Sequence, residues 1–295
     1  MRKTVLLMAA LAVGLGALWA QGMVSGRHVR AAEGGSRMPQ AARDTSGFTA
    51  LSTETRTLEV GDVKVTWIQD RAATQSASLF PGADPKLVDS LGLRGGIPSS
   101  MSVFLVESKG MRILFDTGLG AKDSRLLHLL SLMGLTPADI GFIYLTHLHS
   151  DHIGGLLDGG RPMFPTAQVF VSKQEFKGWM RMSGEKKAQV ERMARAYRLN
   201  LHFFDFGDYL PGGVETIDAS GHTPGHTAFR VGGLLIVGDI LHGAALQLAD
   251  LDLCPTYDMN PAEARAARKR MLQLARTDSL VMAGMHLPAP GFMKF

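Results

Sequence analysis

The chain has almost no cysteine, since Cys254 is the single thiol in 295 residues. An intrachain disulfide and a zinc site built from several thiolates are therefore excluded, although a lone cysteine is compatible with any redox compartment. The chain also has little excess charge. Its formal net charge is +4, and without Arg2 and Lys3, which lie in a leader-like segment, 4 − 2 leaves +2. So small an excess argues against nucleic acid or an anionic membrane surface as a partner.

A serine-centred elbow motif is absent as well, so the sequence gives no sign of a serine nucleophile. What is present is an ordinary globular composition, with 45% hydrophobic and 20% charged residues. The length allows one large core or two modest domains.

The N-terminus has the pattern of a secretory signal. Arg2 and Lys3 precede an uncharged, mainly apolar run from 4 to 20, which predicts a signal peptide over 1–20 and a periplasmic or secreted protein. An uncleaved anchor is the alternative, and a lipoprotein is excluded because no cysteine follows the run. Residues 21–50 are rich in Gly, Ala, Ser and Arg without periodicity and are predicted to be a mobile linker before a domain over 51–295.

Strand and helix patterns alternate through that domain. Short or alternating apolar runs predict strands at 63–68, 102–106, 112–116, 142–145, 168–171, 214–217, 229–231, 234–237 and 280–283. Caps and helical spacing predict helices at 126–133, from 136, from 172, at 185–197 and at 260–275. The helix from 172 opens with a capping-box pattern that Ser172 begins and Glu175 completes. The remaining long segment, 70–100, is predicted to be a loop that forms either a lid or substrate wall, or a surface excursion or dimer contact.

The stretch 147–155 carries four metal-capable side chains within six positions, directly after a predicted strand. Residues two apart in extended backbone point the same way, so His147 and His149 project together. A following turn would bring Asp151 and His152 into the same space. Three imidazoles and a carboxylate so close together would repel or desolvate one another unless a cation held them. This density predicts a metal site.

Further metal-type residues, His222, Asp239 and His286, follow the ends of later strands. Separate strands can thus deliver ligands to one shared mouth at a sheet edge. Together with the His-x-His-x-Asp-His stretch, the order and spacing resemble the motifs of the metallo-β-lactamase superfamily from about residue 55 onward. The resemblance implies an α/β fold, an αβ/βα sandwich of two mixed sheets with helices on the outer faces.

The resemblance also implies two metal sites that share a bridging carboxylate. The implied ligands are His147, His149 and His222 for one site, Asp151, His152 and His286 for the other, and Asp239 as the bridge. Three histidines with an open position suit zinc, whereas the second site, richer in oxygen, could take manganese, iron or cobalt. His226 is expected to serve orientation or packing. Asp116 is expected either to orient a ligand imidazole or to form a turn.

The family mechanism implied for this chain uses a water between two metals as the nucleophile. Asp151, Asp239 and His242 are the candidate catalytic residues. His242 lies three positions after Asp239, where some lactonases of the family place a tyrosine near the substrate. An imidazole there either does similar proton-transfer work or only hydrogen-bonds a ligand.

The segments 238–247 and 255–258, with the Ala- and Arg-rich helix after them, resemble the branch that contains methyl parathion hydrolase and exported lactonases. That branch implies an ester-like small-molecule substrate: a lactone, an aryl ester or an organophosphate triester. No nucleic acid partner is expected, and a homodimer is one expected assembly. Asp239 argues against a true zinc β-lactamase. The alternatives are a mononuclear iron enzyme of the persulfide dioxygenase type and a thioesterase like glyoxalase II, which would add a C-terminal helical domain.

Overall fold

The computed structural model describes residues 42–43 and 48–295. The strands are β1 Ala42–Arg43, β2 Thr49–Ala50, β3 Thr55–Val60, β4 Val63–Gln75, β5 Ile97–Ser108, β6 Met111–Phe115, β7 Phe142–Tyr144, β8 Leu157–Asp158, β9 Arg161–Pro162, β10 Gln168–Ser172, β11 Leu201–Phe204, β12 Tyr209–Leu210, β13 Val214–Asp218, β14 Thr227–Val231, β15 Leu234–Ile236, β16 Val281–Ala283 and β17 Phe292–Met293. The helices are α1 Pro85–Ser90, α2 Leu126–Leu132, α3 Ser150–Ile153, α4 Lys173–Met180, α5 Gly184–Ala196, α6 Ala244–Ala249 and α7 Pro261–Thr277. Short 3₁₀ turns occupy Ala77–Leu79, Pro137–Asp139 and Gly154–Leu156. No helix in this described part is long and apolar enough to cross a membrane.

Fifteen of these strands form two mixed sheets, and β8 and β9 pair separately as an antiparallel hairpin. The larger has the order β1-β2-β3-β4-β5-β6-β7-β10-β11, and the smaller has the order β12-β13-β14-β15-β16-β17. The larger sheet is antiparallel from β1 to β6 and parallel from β6 to β11. In the smaller sheet β15 and β16 pair in parallel, and the other pairs are antiparallel. The mixed pairing confirms the predicted fold class.

The period of two along each strand divides the apolar side chains between different layers. On β5, Val103 packs with residues of α2, α4 and α5, whereas its neighbour Phe104 packs between the two sheets. On β15, Ile236 faces the layer between the sheets and Leu235 packs with residues of α7. The helices therefore cover the outer faces, which confirms the αβ/βα sandwich.

Aromatic rings connect the two sheets. The ring of Phe229 on β14 lies 5.2 Å from that of Phe115 on β6 and 5.9 Å from that of Tyr144 on β7. Such aromatic pairs stabilise a core beyond the area they bury. Because these contacts lie next to the ends of β6 and β7, they bring those ends together with the loops of the smaller sheet.

The prediction of a structureless loop over 70–100 is wrong. After an irregular register between Gln69 and Arg71, residues 71–75 pair with 97–101 as a continuation of β4 and β5. Between the two strands, α1 and the adjoining turn bury Phe80 and Val88 against residues that include Leu246 of α6. Polar residues interrupt the apolar alternation in both strand segments, so the periodicity that indicates a strand is lost there.

The larger sheet starts within the segment predicted to be a linker. Strands β1 and β2 lie before residue 51, and Thr49 pairs with Thr57 of β3. Phe48 is buried and its ring stacks on that of Phe292 at 5.6 Å. These strands have only two residues each, too few to show a pattern in the sequence. The predicted signal peptide over 1–20 lies outside the described residues.

Candidate metal centre

The loop after β7 and the short helix α3 carry the first ligand-type residues. His149 is extended and precedes α3, which then presents Asp151 and His152 in its first turn. Gly155 permits a close backbone approach at this point, since a Cβ atom there would lie 2.1 Å from the carbonyl oxygen of Thr117. The backbone after α3 therefore packs directly against the segment that follows β6.

One group of donor atoms comes from His147, His149 and His222. Nδ1 of His149 lies 2.9 Å from Nε2 of His147 and 2.9 Å from Nε2 of His222. Burial, together with positive charge on neighbouring histidines, holds the pKa of His147 and His222 well below the usual value. Burial also lowers the pKa of His149 to about 4. All three imidazoles are therefore neutral near pH 7, as metal ligation requires.

The other group comes from Asp151, His152 and His286. Oδ2 of Asp151 lies 3.7 Å from Nε2 of His152 and 3.5 Å from Nε2 of His286. Burial lowers the pKa of both histidines, but the negative charges of Asp239 and Asp151 outweigh it. The pKa of His286 rises to about 9, and that of His152 lies well above its usual value. The two carboxylates thus favour positive charge at this group.

Asp239 lies between the two groups. Its Oδ1 is 3.2 Å from Nε2 of His152, and its Oδ2 is 3.4 Å from Nε2 of His222 and 3.1 Å from Nε2 of His286. Burial raises the pKa of Asp239, but the surrounding histidines, His152 first, hold it well below its usual value. Asp239 therefore presents an ionised carboxylate to both groups.

The donor atoms fit divalent metal ions. Among the described residues, Nε2 of His152 and Oδ1 of Asp239 are buried, face each other at 3.2 Å and have no hydrogen-bond partner. Ligand atoms of a tetrahedral zinc ion with bonds of about 2.0–2.1 Å lie about 3.3 Å apart. The spacings within the two groups, from 2.9 to 3.7 Å, lie around that value. The structure brings all seven predicted ligands together in an arrangement that two cations would satisfy.

Three of the ligand histidines donate from Nδ1 to a buried oxygen, which leaves Nε2 directed at the centre. The pairs are His152 with Oδ2 of Asp116 at 2.7 Å, His222 with Oδ1 of Asp258 at 2.8 Å, and His286 with the main-chain oxygen of Ser100 at 2.7 Å. Neither Asp258 nor Ser100 was predicted from the sequence as part of the site. Asp258 lies in the segment 255–258, which resembles the lactonase branch, and this resemblance was the signal that could have identified it. Ser100 contributes a main-chain carbonyl, which no residue type could reveal.

Asp116 takes both of the roles that the sequence left open. It has a φ of +60°, the left-handed conformation that aspartate tolerates better than most residues. Its Oδ1 accepts from the main-chain N–H of Thr146 at 2.8 Å, and its Oδ2 accepts from Thr146 Oγ1 at 2.7 Å as well as from His152. The turn residue therefore also orients a ligand imidazole.

His226 lies beside the ligand groups and binds the backbone of the bridging residue. Its Nε2 accepts from the main-chain N–H of Asp239 at 3.0 Å, and its Nδ1 donates to the carbonyl of Ala219 at 3.1 Å. Gly238 adopts a φ of +53° here, and a Cβ atom on it would lie 2.4 Å from Nε2 of His226. These contacts match the orienting role that we expect for His226.

His242 is buried beside the bridge. Its Nε2 lies 3.1 Å from Oδ2 of Asp239, and its ring stacks on that of His286 at 5.0 Å. Its Nδ1 is buried and has no hydrogen-bond partner among the described residues. One interpretation of His242 was that it hydrogen-bonds a metal ligand, and its contact with Asp239 agrees with that interpretation. Its catalytic role stays a prediction.

A cavity of about 340 Å³ opens onto both ligand groups. Besides the predicted ligands, its walls contain Gln75, Met101, Ser150, Lys186, His242 and Tyr257. Gln75 and Met101 belong to the paired segments 71–75 and 97–101. The segment predicted as a loop therefore does form a wall of the cavity, although it does so as paired strands.

Residues 96–286 match the profile of the metallo-beta-lactamase superfamily. The chain belongs to the metallo-β-lactamase superfamily. It is 30% identical over 229 residues to metallo-beta-lactamase domain-containing protein 1 of Rattus norvegicus, an alignment that covers 71% of this chain and 69% of that protein. It is 32% identical over 106 residues to N-acyl homoserine lactonase AttM of Azorhizobium caulinodans, covering 34% of this chain and 38% of the lactonase. The match to AttM thus spans well under half the length of that relative.

Two solved structures extend the likeness over most of the domain. The hydrolase AbOPH, of the β-lactamase superfamily, superposes with a TM-score of 0.74 at 27% identity and covers 82% of this chain and 93% of its own. AidC, a dizinc quorum-quenching lactonase, superposes with a TM-score of 0.72 at 26% identity and covers 82% of this chain and 94% of its own. The superfamily and its fold are therefore shown for this chain, and the proteins it resembles include a hydrolase and lactonases.

In this member of the superfamily, a buried carboxylate on α4 joins two ligand loops. Oε1 of Glu175 accepts from the main-chain N–H of Leu148 at 3.0 Å and from Trp179 Nε1 at 2.6 Å. Its Oε2 accepts from Thr223 Oγ1 at 2.8 Å and from the N–H of Gly225 at 2.7 Å. The sequence predicted that Glu175 would complete a capping box at the start of α4, but its carboxylate instead ties the loop between two ligand histidines to the loop that follows His222.

We expect Glu175→Gln to lower the free energy of unfolding by about 1–3 kcal/mol, the cost of leaving buried donors unpaired. Each carboxylate oxygen of Glu175 accepts from two donors. In either orientation, the glutamine amide would replace one of these oxygens by an NH₂ group, which cannot accept, so two donors would lose their acceptor. The measurement is urea unfolding of the metal-free protein. Glu191→Gln on α5 is the control, because its ion pairs with Lys187 and Arg195 are exposed and each contributes about 0–1 kcal/mol. Equal stability of Glu175→Gln and the wild type would contradict the role of Glu175 in joining the two loops.

Proposed function

We propose that this protein is an exported, dinuclear metal-dependent hydrolase that cleaves an ester-like bond, with a lactone as the first candidate substrate. The observation that carries the proposal is Asp239, whose two oxygens face histidines of both ligand groups at 3.2 and 3.4 Å. The relatives AttM and AidC, named as lactonases, support the lactone. Aryl esters and organophosphate triesters are the other candidate substrates.

The two cations, when bound, would supply an acidified water and polarise the scissile carbonyl. Asp239 and Asp151 provide negative charge that would offset the repulsion between the two cations. Tyr257 lies on the cavity wall with its ring 4.8 Å from that of His242. Burial, with the nearby charge of Asp239, raises the pKa of Tyr257 above its usual value. Its phenol therefore stays protonated near pH 7 and can donate a hydrogen bond to a substrate oxygen.

The cavity suits one small molecule, because a volume of about 340 Å³ lies within the range of about 300–1,000 Å³ for ligand pockets. Lys186, on the first turn of α5, is exposed at its wall. Hydrolysis of a lactone or ester near pH 7 produces a carboxylate. The ammonium group of Lys186 places a positive charge where that product would leave.

We expect close to two metal ions per chain after gentle purification, because the seven ligand-type residues form two groups around one shared carboxylate. Elemental analysis gives the stoichiometry. The same preparation is then tested against a panel of homoserine lactones, aryl esters and phosphotriesters. Turnover of at least one class, lost on chelation and restored by Zn²⁺, is the expected result.

One iron and no second metal would contradict the dinuclear hydrolase and would favour the oxygenase of the persulfide dioxygenase type. Two metals with no turnover of this panel, but with turnover of a glutathione thioester assayed separately, would favour the glyoxalase II-like alternative. Comparison of the three substrate classes at equal metal occupancy identifies the substrate.

Export rests on the basic and apolar pattern of residues 1–20. We expect cell fractionation of the native host to find the mature protein in the periplasm or medium, with an N-terminus near Gln21 by mass spectrometry. A full-length chain soluble in the cytoplasm would contradict export and leave the hydrolase proposal unaffected.

A further inference from the structure

Arg268 is a buried cation on α7 with a side chain only 1% exposed. Its Nε donates to the carbonyl of Ile240 at 3.0 Å, and its Nη1 donates to the carbonyl of Leu251 at 2.8 Å. Its Nη2 forms an ion pair with Oδ2 of Asp258 at 3.5 Å, and that oxygen has no hydrogen-bond partner among the described residues. The guanidinium thus contacts the loop after β15, the segment after α6 and the segment before α7 together.

Two of these contacts lead directly to metal-ligand residues. Asp258, also 1% exposed at its side chain, uses its other oxygen to accept from Nδ1 of His222 at 2.8 Å. Ile240 follows Asp239, so its carbonyl belongs to the backbone that places the bridging carboxylate. A single side chain therefore reaches one histidine ligand through Asp258 and the bridge through Ile240.

The chemistry of the group suits this position. A guanidinium is planar and permanently charged, and it presents donors in fixed directions, so its hydrogen bonds can hold two carbonyls while its charge attracts the neighbouring carboxylate. The packing of α7 alone would not require a charge at this place.

We propose that Arg268 is a positioning residue for the metal centre, acting through Asp258 on His222 and through the Ile240 carbonyl on Asp239. The inference rests on the proposed dinuclear function. It assigns to α7, which supplies none of the predicted ligands, a direct part in setting the geometry of the site that contains His222.

The test measures Zn²⁺ affinity by chelator competition and Co²⁺ absorption spectra for five proteins: the wild type, Arg268→Met, Asp258→Asn, the double variant and Arg265→Met. Arg265 lies on the same helix, is half-buried and serves as the matched control. We expect Arg268→Met and Asp258→Asn each to weaken one of the two Zn²⁺ sites by about 10–100-fold, the range for partners of metal ligands. We also expect both variants to alter the Co²⁺ spectrum. The double variant should lose less affinity than the two single effects combined, because both single variants disrupt the same Arg268–Asp258 contact.

A merely structural role predicts a lower Tm of the metal-free protein with unchanged Zn²⁺ affinity in the folded fraction, and that result would overturn the inference. Additive effects on affinity would also overturn it. If Arg268→Met does not fold, Arg268→Lys replaces it, since a lysine keeps the charge but cannot reproduce the planar set of donors. Its Zn²⁺ affinity should lie between that of the wild type and that of Asp258→Asn. A wild type that binds a single metal would contradict the proposed function itself, whereas a two-metal wild type with an unaffected Arg268→Met contradicts the inference alone.

Discussion

Asp239→Ala should lose metal and activity together, with a loss of affinity well beyond the ~10–100-fold typical of a residue that only orients a ligand. The carboxylate oxygens of Asp239 lie 3.2 Å from His152 and 3.4 Å from His222. Its removal would leave two dications close together with less compensating charge, and each would lose a ligand. The measurements are metal stoichiometry after dialysis and turnover at saturating substrate, on protein shown to be folded by circular dichroism.

His226→Ala is the matched control, because it removes a buried histidine that contacts the same residue through its backbone. Nε2 of His226 accepts from the main-chain N–H of Asp239, at 3.0 Å. Its loss loosens the bridge without removing a ligand, so both metals should remain and the affinity should fall by no more than about 100-fold. If Asp239→Ala kept two metals while His226→Ala lost one, the ligand assignments after His152 would be wrong.

Asp116→Asn should weaken metal binding at the group that contains His152 by about 10–100-fold, with a parallel loss of activity at limiting Zn²⁺. Oδ2 of Asp116 accepts from Nδ1 of His152 at 2.7 Å, which keeps the lone pair on Nε2. An amide NH₂ in that place donates to Nδ1 and moves the ring proton to Nε2, where it blocks ligation. Asparagine also tolerates the left-handed backbone found here, so the turn should persist. Zn²⁺ titration and activity against Zn²⁺ concentration are the measurements.

Asp139→Asn provides a close control for this experiment. Asp139 accepts from the main-chain N–H of Thr136 at 2.8 Å and from its Oγ1 at 2.7 Å, the same pair of bonds that Asp116 makes to Thr146. It differs in being exposed and in having no histidine partner among the residues that the structure describes. We expect Zn²⁺ affinity equal to that of the wild type. If the Zn²⁺ affinity of Asp116→Asn were as unaffected as that of this control, Asp116 would serve to form the turn and not to orient the imidazole of His152.

The sequence was sufficient for those features that depend on local pattern. Four metal-type side chains in six positions define a site whatever the rest of the chain does, because their mutual repulsion requires a cation. Strands β7, β10 and β15 are short apolar runs, and α5 and α7 have helical spacing, with Asn260 as the N-terminal cap of α7. Their conformation therefore follows from neighbouring residues in the sequence. Strands of two residues, and the helix α6 inside a family-like segment, gave no such pattern.

The tertiary structure alone decided how the ligands are held. Ser100 supports His286 with a main-chain oxygen, and Glu175, predicted as a capping residue, joins two distant ligand loops. The segments 71–75 and 97–101 form paired strands although half of their residues are polar and their apolar residues do not alternate regularly. In each case the partner lies far away in sequence and the bond is made by backbone or by a buried charge. Residue type and periodicity do not indicate such a partner. Burial and hydrogen bonding at these positions are determined only when the two sheets and their outer helices pack together.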